Sequence, residues 1–177
     1  MKRRSFSLMA LALGSLAVSS CGFKLRGSYD FVFKSLLIQS EQGSVATRSL
    51  KANLDSDNKV KVSVNQAFVE DSANNEAVLN IISERREKSI TALNSSGQIS
   101  EFQLRFRVIY EVKNAAGKII VSETQIVAQR DFSYSETQAL GKQAEEALLY
   151  RDLEDDVVQQ LLRRLSSIKS LNATLPS

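Results

Sequence analysis

Two groups of side chains in this 177-residue chain are of a type and spacing that could do chemistry. The first is a single thiol, Cys21, preceded by Val18, Ser19 and Ser20 and followed by Gly22, Phe23, Lys24, Leu25, Arg26 and Gly27. The second is a set of cations: Arg85, Arg86 and Lys88 in one stretch, Arg105 and Arg107 in another, and Lys142 further on. A thiol can be alkylated, oxidised or bound to a metal through its thiolate. Guanidinium and ammonium groups gathered on one surface hold phosphate or sulfate oxygens through charge-assisted hydrogen bonds. The rest of the inventory narrows the chemistry further. There is no histidine, hence neither the commonest general base nor the commonest metal ligand. The sequence has no nucleophile elbow, phosphate loop or zinc-spaced pair. No catalytic residue, metal site or cofactor is expected.

The residues before Cys21 open with Lys2, Arg3 and Arg4, run through an apolar span from about Phe6 to Val18 and close on Ser19 and Ser20. That is the build of a secretory signal, and the span falls short of the roughly 20 apolar residues of a membrane helix. The run Val18-Ser19-Ser20-Cys21 resembles the lipobox of bacterial lipoproteins. The resemblance implies that the Cys21 thiol is alkylated by a diacylglycerol, that the chain is cut just before it, and that the new amino group is acylated. Each buried methylene contributes about 0.8 kcal/mol, so several chains together make a permanent anchor. No thiol is then left for a disulfide, and the fold must hold by packing. Gly22, where an Asp would retain a lipoprotein at the inner membrane, fits release to the outer one. Removal of residues 1–20 takes three cations and no acid, so the remaining 157 residues carry twenty basic and twenty acidic groups. A sequence pI near 9.0 therefore gives no reason to expect a nucleic-acid partner.

Which elements would position the cations can be read from the spacing of apolar residues. Residues 21–33 mix aromatics, charges and glycines without period and read as an extended arm, its apolar side chains lying along the domain surface. Ser35 to Ser40, with Leu36, Leu37 and Ile38, reads as a buried strand, and Ser44 can cap a helix from Val45 to about Leu54 that Asp55, Asp57 and Asn58 stop. The run Asp55-Ser56-Asp57-Asn58 begins like a calcium loop, but Val60 stands where the turn glycine belongs and Gln66 where the bidentate Glu belongs. Val60, Val62 and Val64 alternate with Lys61 and Ser63, a short strand suited to an edge. Three longer strands follow as an antiparallel meander, about Ala77 to Leu93, Glu101 to Lys113 and Lys118 to Phe132, with turns at Ser95-Ser96-Gly97 and Asn114-Ala115-Ala116-Gly117. The middle one alternates cleanly, Phe102, Leu104, Phe106, Val108, Tyr110 and Val112 against Arg105, Arg107 and other polar groups, which means one packed and one wet face.

From Glu136 the period changes. Tyr150, Leu153, Val157, Leu161, Leu165 and Ile168, widened by Val158 and Leu162, make the stripe of a long amphipathic helix, with Glu145 and Glu146 near its start and Arg163, Arg164 and Lys169 near its end. The acids Asp152, Glu154, Asp155 and Asp156 read as its solvated face. The expected fold is α+β, a two-layer sandwich in which a mixed, mostly antiparallel four-stranded sheet carries two helices on one face. A single domain over 34–170 is expected, with a frayed tail at 171–177. Arg85, Arg86, Lys88, Arg105 and Arg107 would lie on the wet face, where such charges are more often merely solvated than gathered into a site. Lys142 would sit in the connection before the last helix, a place that carries function more often than a core does.

Several stretches together resemble the LptE family of lipopolysaccharide-assembly lipoproteins. These are Cys21-Gly22-Phe23-Lys24-Leu25-Arg26-Gly27, Gly97-Gln98 before Glu101-Phe102-Gln103, Arg130-Asp131-Phe132-Ser133-Tyr134, Gln138-Ala139-Leu140-Gly141-Lys142, and Gln159-Gln160-Leu161-Leu162-Arg163-Arg164-Leu165. The resemblance implies a small α/β domain anchored in the inner leaflet of the outer membrane, facing the periplasm and the lumen of a large β-barrel partner, LptD, which it plugs one-to-one. It also implies lipopolysaccharide as a ligand, with Lys142 as the family's basic residue after an Ala-Leu-small triplet. A second basic residue, expected in the turn between the first two meander strands, is replaced here by Asn94, Ser95 and Ser96. From the residues alone, a tethered lipid or glycolipid carrier or another envelope adaptor would also suit, and an envelope hydrolase ranks third.

Overall fold

The computed structural model describes residues 29–65 and 76–171. The signal segment, Cys21, the first part of the arm and all but Leu171 of the tail lie outside them. The alternation seen in the sequence makes the central strand, β4 (Ile99–Asn114), which buries Leu104, Phe106, Val108, Tyr110 and Val112 on one side and turns Gln103, Arg105 and Arg107 to the other. It pairs antiparallel with β3 (Ala77–Leu93) and β5 (Ile119–Ser133). The two hairpin turns are built alike. Asn94 Oδ1 accepts from the backbone N–H of Ser96 and Gln98, both at 2.9 Å, and Asn114 Oδ1 accepts from Ala116 at 3.0 Å and Lys118 at 2.9 Å. Gly97 and Gly117 then take φ of +77° and +78°, a conformation that strains any residue with a Cβ.

Among the described residues the sheet has five strands, not the four expected, in the order β2-β1-β3-β4-β5. The fifth is the edge strand β2 (Lys61–Val64), parallel to β1 (Ser35–Gln39), which is in turn parallel to β3. The physical reason lies in β1, whose Leu36, Leu37 and Ile38 are all buried, so it needs a neighbour on each side. β1 meets only the first four residues of β3, Ala77 to Asn80. One end of the sheet is therefore five strands wide and the other three.

Ser44 caps α1 (Val45–Asp57), its Oγ accepting from Thr47 N–H at 3.0 Å, and Asn58 ends it in the left-handed conformation. A carboxylate from the sheet completes the cap: Glu84 accepts from Ser44 Oγ at 2.7 Å and from the N–H of Val45 and Ala46 at 3.0 and 3.2 Å, which also complements the helix dipole. After a 3-10 turn at Glu136–Gln138 comes α2 (Ala139–Ser166). It packs Leu153, Val157, Val158, Leu161, Leu162 and Leu165 onto β4 and β5, with α1 beside it. α2 starts earlier than its charges suggest, so Glu145 and Glu146 fall beyond a first turn that holds no acid, while Arg163 and Arg164 do occupy the last turn. In the arm, Phe33 is 1% exposed and belongs to the core, with Tyr29 and Phe31 packed against it, rather than lying along the surface. Burying a whole phenyl group is worth about 1.5–3 kcal/mol, which a surface position would forgo.

One irregularity matters for the site. Ile81 pairs with Tyr110 and Ser83 with Ile109, so Ile82 is an extra, unpaired residue in β3, a bulge that is 45% exposed. Up to it, Ala77, Leu79 and Ile81 face the core; beyond it, as far as Ile90, the even-numbered residues lie on that side of the sheet.

The open side of the sheet yields a prediction about pH. Glu111 accepts from Lys113 Nζ at 2.6 Å and from Asn80 Nδ2 of β3 at 3.0 Å, and these bonds, the Lys113 one foremost, hold its carboxyl below the usual carboxylate range. Between the folded and unfolded pKa the unfolded chain binds more protons, so this contribution is full above the ordinary value of about 4.3 and is lost as pH falls through the folded one. Glu111→Gln is expected to flatten the acid limb of a urea-midpoint profile in that window and to leave the neutral limb parallel to that of the parent.

Candidate functional site

The bulge at Ile82 sorts the cations. β3 beyond it sets Arg86 opposite Phe106 and Lys88 opposite Leu104, on the side covered by α2, while Arg85 stands opposite Arg107 and Glu87 opposite Arg105 on the open side. The expectation that Arg85, Arg86, Lys88, Arg105 and Arg107 share the wet face is overturned for Arg86 and Lys88, and with Lys142 the six cations form two groups separated by the sheet. Lys142 is not in a connection either. It is the fourth residue of α2, in the first turn.

The structure brings Arg86, Lys88 and Lys142 together around a surface cleft of about 530 Å³ that Tyr134, Glu146 and Tyr150 also border. Arg86 Nε donates to Glu154 Oε1 at 2.6 Å, and its guanidinium lies 5.2 Å from the centroid of the Tyr150 ring. Lys88 Nζ donates to Glu146 Oε2 at 2.6 Å and stands 4.1 Å from the centroid of Phe102 and 6.0 Å from that of Phe132. Lys142 Nζ donates to Glu145 Oε2 at 2.8 Å and Ser133 Oγ at 3.2 Å, 5.2 Å from the same Phe132 ring. Ring faces attract cations electrostatically, so the aromatic floor fixes where the ammonium groups sit. Phe102 is itself held edge-on by Tyr134 at 5.3 Å. Tyr150 donates to the Glu87 carbonyl at 3.0 Å, and burial first, then the nearby Glu146, pushes its hydroxyl pKa up, so it remains a donor. A second cleft, about 720 Å³, opens over the first turn of α2 and shares Ala139 and Lys142 with the first; Leu140, 86% exposed, lies on its wall.

On the open side, Arg107 Nη2 is 3.3 Å from Glu87, its Nε is buried without a hydrogen-bond partner among the described residues, and Arg105 Nε donates to Gln103 at 2.8 Å. Cys21 lies outside the described residues. Glu154 corrects the reading of the acid cluster as solvated: Asp152 and Asp155 are exposed and Asp156 pairs with Arg130, but Glu154 is buried. Its spacing could have told this, because it falls four residues from both Tyr150 and Val158 on the apolar stripe. Tyr134, a motif residue with no expected role, borders the cleft, and Phe132 lies beside the Lys88 and Lys142 ammonium groups.

The model of the lipopolysaccharide-assembly family LptE matches residues 33–165, from the end of the arm through α2, and so spans every element that builds this cleft. The chain belongs to the LptE family. The LPS-assembly lipoprotein LptE of Photorhabdus laumondii is 24% identical over 171 residues, covering 95% of this chain and 88% of its own length. The LptE of Yersinia enterocolitica is 28% identical over 167 residues, covering 92% and 76%. Among solved structures, the solution structure of uncharacterized lipoprotein B from Nitrosomonas europaea superposes with a TM-score of 0.69 at 31% identity, over 88% of this chain and 99% of that one. Rare lipoprotein B from Shewanella oneidensis shares the fold, with a TM-score of 0.61 at 24% identity over 75% and 94%. The family resemblance carried by the sequence motifs is thereby borne out.

Proposed function

We propose that this LptE-family chain acts without catalysis in lipopolysaccharide assembly, as a lipoprotein held in the outer membrane through acylated Cys21. One domain over about 34–170 seats one-to-one in an LptD-like β-barrel, faces the periplasm and the barrel lumen, and binds lipopolysaccharide. The observation that carries the binding is the convergence of Arg86, Lys88 and Lys142 over Phe102, Phe132 and Tyr150. Cations on a ring floor suit a phosphate-bearing headgroup. The exposed Leu140 beside them suits the apolar part of the same amphiphile. Arg85, Arg105 and Arg107, across the sheet, cannot reach the same phosphate and enter the proposal only as a separate anion contact. A tethered carrier would need to enclose most of its ligand, whereas both clefts are open at the surface.

Purification in mild detergent is expected to bring down a barrel of far greater mass. A lone monomer, together with normal lipopolysaccharide export after depletion, would refute the plug. Lys142→Glu is expected to weaken lipopolysaccharide binding about tenfold, some 1.4 kcal/mol, with circular dichroism and melting unchanged. Titration at two salt concentrations checks this, and unchanged affinity removes Lys142 from the site.

A further inference from the structure

Each cation of the cleft is already bound to a carboxylate of α2, and the three carboxylates differ in how easily they can leave. The side chain of Glu154 is 7% exposed, that of Glu146 23% and that of Glu145 49%. A carboxylate abandoned in the position of Glu154 would stay buried without a partner, which is strongly unfavourable. Glu146 lines this cleft and Glu145 the adjoining one, and both can turn into water, where hydration offsets most of what the pairing gave. Arg86 is therefore a fixed post, whereas Lys88 and Lys142 can change partners. When their carboxylates leave, Phe102, Phe132 and Ser133 still hold the two ammonium groups in place. Both stand within 6.0 Å of the centroid of the Phe132 ring, so the two ammonium groups share one aromatic neighbour.

We infer that Glu145 and Glu146 are built-in competitors, which occupy Lys142 and Lys88 until a phosphate-bearing ligand replaces them and which then help to expel it, so that the cleft takes up a phosphate group and releases it again. This rests on reading the cleft as the phosphate site. A phosphate monoester carries up to two charges and three acceptor oxygens near neutral pH, enough to displace single carboxylates. The returning carboxylates are covalently tethered a side chain away and so compete at high effective concentration.

The test uses the full lipidated chain in phosphatidylcholine nanodiscs, titrated with inorganic phosphate and, separately, with a short-chain phosphatidic acid, with dissociation followed by stopped flow. Glu145→Gln combined with Glu146→Gln is expected to bind about fivefold tighter, the upper end of what one exposed ion pair is worth, mainly through slower release. Lys88→Gln with Lys142→Gln should abolish that gain. A gain with both probes assigns the effect to the phosphate group itself, and a gain with phosphatidic acid alone assigns it to a lipid headgroup. Unchanged or weaker binding in the double Gln variant, while Lys88→Gln still weakens the parent, overturns the competitor role and leaves the site standing. If Lys88→Gln and Lys142→Gln leave the parent's affinity unchanged, the site itself falls, and the inference with it.

Discussion

Phe106→Ala is expected to lower folding stability by about 3–5 kcal/mol, the usual range for deleting a buried phenyl group. Phe106 is 1% exposed, lies on the central strand, and stands in register between Arg86 of β3 and Ala128 of β5, beneath the layer formed by α2. The ladder fixes the backbone on both sides, so the walls of the new cavity can collapse little, which favours the upper part of that range. The measurement is a urea midpoint at unchanged slope. A loss below about 1 kcal/mol would mean that α2 is not closed over the sheet at this point.

Arg86→Ala is expected to be the costliest single change among the cations, about 2–3 kcal/mol, because it strands a buried carboxylate without its partner. The figure lies below the 3–5 kcal/mol of a wholly enclosed pair because half of the Arg86 side chain reaches solvent, which lets water approach Glu154. The comparison that isolates this cause is a double-mutant cycle. Arg86→Leu with Glu154→Leu should recover much of the stability that Arg86→Leu alone removes, since the double variant buries no charge. Equal losses in the single and double variants would show that Arg86 acts through its packing on Tyr150 and not through the charge of Glu154. Lys88 and Lys142 should behave differently, because the carboxylates they release are accessible to water.

What could be read in advance follows the regularity of the pattern. The alternation of β4 and the stripe of α2 are uninterrupted, and every apolar residue named on that stripe is buried. The cap at Ser44 was legible because it depends on one side chain three residues from its donor. The side of the sheet on which Arg86 and Lys88 lie was not. Counting by twos from Ala77, Leu79 and Ile81 puts both on the open side, and the extra residue Ile82 reverses the count without leaving a mark in composition, since an isoleucine suits a strand as well as a bulge. The edge strand β2 was visible as an alternation, but its place in the sheet depends on parallel pairing with β1, a contact between segments that local pattern does not connect. Glu154 was hidden by the company it keeps: beside Asp152, Asp155 and Asp156 it reads as one more solvated acid, and only its position relative to Tyr150 and Val158 sets it apart.

The uneven width of the sheet has a consequence for how the molecule comes apart. Where β1, β2 and α1 flank the start of β3, both β1 and β3 are braced on each edge and the apolar residues of two helices close over them. Toward Ile90 and Leu93 the meander has three strands and only the beginning of α2 above it, with exposed apolar side chains at its tip. Cooperative units of a protein separate where contact is thinnest. The narrow end, which carries the cleft, is thus expected to exchange its backbone amides ahead of the broad end, which hydrogen exchange would read as a separate, earlier-opening unit.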